Sequence, residues 1–215
     1  MKNIIKTIAL LLACVPALTF TSCLNDDETD YEDYTPEQKA AYMKQMDGSY
    51  SGILRFYNDT LKTTTKVDSI NATAFFRSAD STVVISGVSP RVFSKLIKGD
   101  RYETLRQALD QQPMQSLTMK AIFYDVAKSG AVFYGAYPME KTFDLYYDDA
   151  THKVSFYFYN YLNNNGLWYN KETELAAYIT EIWIDNSRTK TFSISPTYVD
   201  SDCVLSFYGK YVGAF

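Results

Sequence analysis

The chain has 215 residues, a formal net charge of −4, 47% hydrophobic residues and three cysteines. That length supports a single domain with a sizeable core and no need of disulfide staples. No Lys/Arg-rich stripe is present, so no nucleic-acid partner is expected. Outside the N-terminal segment that holds Cys14 and Cys23, one histidine and one cysteine remain, too few for the usual zinc ligand set, so no transition-metal centre and no cofactor are expected.

Residues 1–22 read as an export signal. Lys2 and Lys6 give a positive start, Thr7 to Phe20 is mostly apolar, and Thr21-Ser22 places small residues before Cys23. A cysteine at the first mature position is what a bacterial lipoprotein needs: its thiol takes a diacylglycerol and its freed amine a third acyl chain. Cys14 competes on spelling, after Leu11-Leu12-Ala13, but cleavage there leaves a very short apolar region and an apolar mature start. Lys6 holds the apolar stretch below the ~20 residues a spanning helix requires. Two or three acyl chains anchor stably where one does not. The expectation is a mature chain of 193 residues, lipid-anchored through Cys23 to the outer membrane and displayed at the cell surface. Loss of Lys2 and Lys6 takes the net charge to −6. With Cys23 acylated, Cys203 has no partner for a bridge and is expected as a buried small hydrophobe.

Residues 23–34 read as an acidic tether without hydrophobic periodicity, and 35–215 as one β-rich domain. Thr35, Pro36 and Gln38 spell a helix start with a capping box, and Asp47-Gly48 spells its end. Strand signals follow. Tyr50, Gly52, Leu54 and Phe56 alternate against Ser51, Ile53, Arg55 and Tyr57. Strands are expected at 66–77 and 82–88, then a helical interlude over 91–96 and 101–109, closed before Pro113. Further strands are expected near 117–125, 131–137, 141–148, 153–161, 174–185, 190–195 and 202–212. Pairing Asp148 with Lys153 across a four-residue loop sets Tyr147, Leu145 and Phe143 opposite Val154, Phe156 and Phe158, all on one side. About ten closely spaced strands argue for an antiparallel β-sandwich or a lipocalin-like barrel.

Catalytic signals are sparse, and an enzyme is not expected. His152, the sole histidine, falls in the expected hairpin loop, with no Gly-x-Ser-x-Gly elbow for it to serve. Asp144, Asp148 and Asp149 could supply a general acid and base for sugar hydrolysis, yet aspartate is also routine turn chemistry. Binding is better represented. Tyr157, Tyr159 and Tyr161 face outward on one expected strand, with Tyr146 on the same side of its neighbour. Trp168-Tyr169 lie in the loop that follows the nearby Asn163-Asn164-Asn165 run. Rings with amide neighbours suit a glycan, and Tyr and Trp also anchor protein interfaces. The leading expectation is a non-catalytic binding module for glycan or protein. A structural envelope-assembly lipoprotein, or a lipocalin-like carrier of a small apolar molecule, are the alternatives.

The acidic run Asp26-Asp27-Glu28 just after Cys23 resembles the surface-export signal of Bacteroides-group lipoproteins. Asp59-Thr60-Leu61, Asp68-Ser69-Ile70 and Asp80-Ser81-Thr82 resemble the O-glycosylation pattern of the same group, with Thr60, Ser69 and Ser81 as acceptors. Together with the Thr35-Pro36-Glu37-Gln38 helix start and the opening Gly48-Ser49-Tyr50-Ser51-Gly52, the chain resembles Bacteroides-group lipoproteins that carry a single domain of unknown function. The resemblance implies a location and a β-rich domain. It brings no catalytic residues.

Overall fold

The computed structural model describes residues 34–58, 61, 66–159, 165–192, 194–195, 198–199 and 203–214. Cys23, Asp26, Asp27, Glu28, Thr60 and Tyr161 lie outside them. Helix α1 (Pro36–Gln45) starts as its sequence dictates. Thr35 accepts from the Gln38 backbone while the Gln38 side chain accepts from the Thr35 backbone, a reciprocal cap.

The strands are β1 (Gly48–Tyr57), β2 (Val67–Arg77), β3 (Thr82–Val88), β4 (Gln115–Val126), β5 (Val132–Pro138), β6 (Lys141–Tyr147), β7 (Ala150–Phe158), β8 (Asn165–Tyr169), β9 (Glu172–Ile184), β10 (Ser187–Thr191), β11 (Ile194–Ser195), β12 (Tyr198–Val199) and β13 (Val204–Gly213). Among the described residues, eight antiparallel strands close into a barrel in the order β1-β2-β3-β4-β5-β8-β9-β13, with β13 pairing back onto β1. The fold is thus mainly β and a barrel, the second of the two architectures expected. Closure removes the free edges that an open sheet would leave.

The 13-residue strand β9 serves two sheets. Its first half pairs with β8 and β13 in the barrel. Its second half pairs with β7 and β10 in a four-stranded flap ordered β6-β7-β9-β10. The change falls at a bulge: Tyr157 pairs with Glu181 and Phe158 with Ile179, leaving Thr180 as the extra residue.

Strand directions sort the connections. At one end, the base, lie α1 and the turns after β2, β4 and β8. At the other lie the flap, α2 (Arg91–Ser94) and α3 (Glu103–Asp110). The base is filled by rings. Phe76 on β2 meets Tyr134 on β5 at 5.4 Å and Tyr50 on β1 at 5.3 Å, so side chains from opposite walls touch across the lumen. Tyr50 Oη donates to the Met46 carbonyl at 2.8 Å and accepts from Trp168 Nε1 at 2.8 Å. Burial without such partners would cost each hydroxyl about 1–3 kcal/mol. Gly166 on β8 is required here, because a Cβ would stand 2.0 Å from the Tyr134 ring. At the far end Phe93 of α2 packs on Phe143 and Phe156 of the flap at 5.4 and 5.0 Å, over buried Leu105 and Leu109 of α3.

Three local expectations are corrected. The β6–β7 hairpin turns through Asp148-Asp149 alone, at φ 50° and 61°, and pairs Tyr147 with Ala150 and Phe143 with Val154. Two left-handed residues match the twist of the flanking strands, which the longer loop does not. The slip is an even number of residues, so the apolar side stays apolar and only the partners change. Strand β8 occupies a stretch read as loop. His152 lies within β7, stacked on Tyr147 at 4.2 Å with Nδ1 2.5 Å from Asp185 Oδ2, and is no solvated loop residue.

Candidate functional site

The flap has an inner face that packs on α2 and α3 and an outer face that does not. Alternation assigns Phe143, Leu145, Val154, Phe156 and Ile182 inward, all buried. Outward point Thr142, Asp144 and Tyr146 on β6, Lys153, Ser155 and Tyr157 on β7, Glu181 and Trp183 on β9, and Arg188 on β10.

One part of this face is organised. The Tyr157 and Trp183 rings stand 5.9 Å apart at 70° to one another. Trp183 Nε1 donates to Glu181 Oε2 at 2.7 Å, and Arg188 Nη1 donates to Glu181 Oε1 at 3.0 Å. Glu181 therefore clamps the indole from one side and the guanidinium from the other. These two hydrogen bonds, Trp183 first, hold its carboxyl below the usual range. Beside the rings, Thr142 donates to Glu140 Oε1 at 2.8 Å and shares a 3.0 Å hydrogen bond with the buried Ser155 hydroxyl. Hydrogen bonds from Ser155 and then Thr142 hold the Glu140 carboxyl low as well.

The aromatic residues picked out from the sequence do not form one row. Tyr146 and Tyr157 share the outer face and are exposed by 70% and 36%. Tyr146, however, pairs with Thr151, six residues along β7 from Tyr157, or about 20 Å at strand rise. Tyr159 follows β7 and packs partly into the core, its N–H donating to the Tyr178 carbonyl. Trp168 points into the barrel and spends its indole N–H on Tyr50. Tyr169, half exposed, belongs to the β8–β9 turn at the base. Ser69 lies exposed on β2, and Ser81 closes the turn before β3 at φ 52°.

Trp183 was missed by sequence reading, and the reason is the bulge. Plain alternation from the buried Leu175 and Ala177 assigns residue 183 inward; the extra Thr180 reverses the face. The candidate acid and base groups do not converge. Asp148 and Asp149 are the two turn residues, and Asp144 stands opposite Lys153. Among the described residues no group of three His, Cys, Asp or Glu side chains could hold a metal ion, and no helix is long and apolar enough to cross a membrane. A groove open to solvent crosses the outer wall of β2, β3 and β4 between Phe75, Arg77, Val84, Ser86 and Ser116.

No curated protein matches this sequence. A family model does, over residues 45–184, from the end of α1 to the end of β9 and so through the whole flap apart from β10. The match covers well over half of the chain, which therefore belongs to the DUF4840 family, a domain of unknown function.

Proposed function

We propose that this protein is a lipoprotein anchored through Cys23 to the outer membrane, facing the cell exterior, and that its domain is a non-catalytic binding module. Its partner, a glycan in preference to a protein, sits on the outer face of the flap around Tyr157 and Trp183. The observation that carries this reading is the Glu181 clamp. An outward tryptophan whose indole is fixed by a carboxylate serves no core, and holding it costs side-chain entropy that a bound partner repays. The polarity of the fold supports the same reading. Tyr34, next to the tether, packs on Phe123 at 5.2 Å near the base of β4, whereas the flap rises from the opposite end. A chain tethered by its N-terminus would hold the flap away from the bilayer.

The barrel is compatible with lipocalin-like carriage. The rings that meet across its lumen leave the outer flap better equipped for a ligand. Cross-linking on intact cells tests the proposal: wild-type protein captures a partner that the Tyr157→Ala/Trp183→Ala double variant loses. Equal capture by both removes this face from the proposal. Capture of neighbouring envelope proteins alone, unchanged in the variant, points to an assembly role.

A further inference from the structure

We infer that the flap face selects a neutral, hydroxyl-rich glycan, with sugar rings resting on Tyr157 and Trp183 and sugar hydroxyls donating to Glu140 and Glu181. This rests on the binding role proposed above and names the class of ligand.

The inference follows from which hydrogen-bonding capacity is left over. A carboxylate offers about four lone-pair sites. Glu181 uses one oxygen for Trp183 and the other for Arg188, so acceptor capacity remains on both, immediately beside the rings. Glu140 is the more heavily used of the two, with Ser155, Thr142 and Tyr157 all hydrogen-bonding to its carboxyl, which leaves it less spare capacity than Glu181. The surface next to the rings is therefore rich in acceptors. The cations on this face serve the same acids: Arg188 is 3.0 Å from Glu181, and Lys153, opposite Asp144 in register, stands near enough to Glu140 to help hold its carboxyl low. An anionic sugar would meet two ionised carboxylates whose neighbouring cations, Arg188 and Lys153, already act on them, and like charges at such a surface are repulsive. A ligand that brings many O–H donors and no charge meets neither penalty.

The same residues argue against a protein partner. Protein interfaces place aromatic anchors in a desolvated centre from which Glu and Asp are depleted. Here the carboxylates flank the rings themselves, and burying them under an apolar surface would leave charge without solvent. Sugar hydroxyls replace the lost water one for one.

Titration calorimetry with the purified full-length protein tests this. The probes are maltohexaose, cellohexaose, mannohexaose and xylohexaose as neutral chains, and a hyaluronan octasaccharide and oligogalacturonate as acidic ones. At least one neutral chain is expected to bind, and the acidic ones are not. Trp183→Ala and Tyr157→Ala each weaken that binding by about tenfold or more, as loss of an anchor does. Glu181→Gln keeps the shape and weakens it by a smaller factor. Trp183→Phe, which retains a ring, binds between wild type and Trp183→Ala and guards against loss through misfolding. Silence across the neutral chains, preference for an acidic chain, or binding untouched by the variants overturns the inference. If the neutral chains are silent while the double variant still loses its partner on cells, the binding role stands and the ligand class falls.

Discussion

Two carboxylates in one seam of the barrel wall, Glu172 and Glu174, have their acidities shifted in opposite directions. Glu172 on β9 accepts from Lys210 Nζ at 2.6 Å and from Tyr208 Oη at 2.5 Å on β13, and those bonds, Lys210 first, hold its carboxyl below the usual range. Glu174, two residues on, is pushed up by burial, against the opposing pull of Arg55. The consequences for stability follow by linkage. The Glu172 contribution is present at neutral pH and is lost as pH falls through its lowered folded pKa. Glu174 is destabilising while ionised and becomes less so as pH falls through its raised pKa. Glu172→Gln should therefore lower the thermal midpoint at pH 7 and lower it by less at pH 3. Glu174→Gln should raise the midpoint at pH 7. Thermal melts of both variants at the two pH values check the signs; equal shifts in one direction would contradict them. Gly166 gives a steric counterpart. Gly166→Ala sets a methyl 2.0 Å from the Tyr134 ring, whose hydroxyl is fixed on Thr173 at 2.9 Å. Overpacking of this kind costs about 1–3 kcal/mol, and an unchanged urea midpoint would count against it.

At the scale of elements, two-residue turns set the registers. Asp148-Asp149, Asn170-Lys171 and Asp185-Asn186 all hold both residues at positive φ. Left-handed backbone costs a residue with a side chain roughly 1 kcal/mol or more, and glycine escapes it. Asp149→Gly is therefore expected to stabilise the protein by about 0.5–1 kcal/mol, read from a denaturant titration; a loss of stability would show that the Asp149 side chain has a role beyond the turn. These turns also mark the limit of what the sequence discloses. The alternation of β1, the cap of α1 and the helical interlude were all legible, because each is spelled by local periodicity or capping chemistry. Strand β8 was not. It is five residues long and begins with Asn165-Gly166, which carry turn chemistry. Tyr157 was placed outward correctly from its own alternation, but Trp183 was hidden by one bulged residue, Thr180, which only the pairing of β7 with β9 exposes.

For the whole molecule, closure depends on residues that the family match omits. The match ends at residue 184, whereas β13 spans Val204–Gly213 and pairs with both β1 and β9. A chain cut after Ile184 should lose cooperative unfolding and aggregate, because two strand edges would be bared at once. Circular dichroism melts and size exclusion of that truncation test it, and a monomeric, cooperatively melting fragment would contradict the closure argument. The same architecture separates the end that carries α1 from the flap end, and on that separation the proposed function depends. Its most direct measurement is photocross-linking on intact cells from two positions, Tyr157 on the flap and Val212, which is 64% exposed near the base. Partner adducts are expected from position 157 and none from position 212. Adducts from 212 alone, or equally from both, would contradict it.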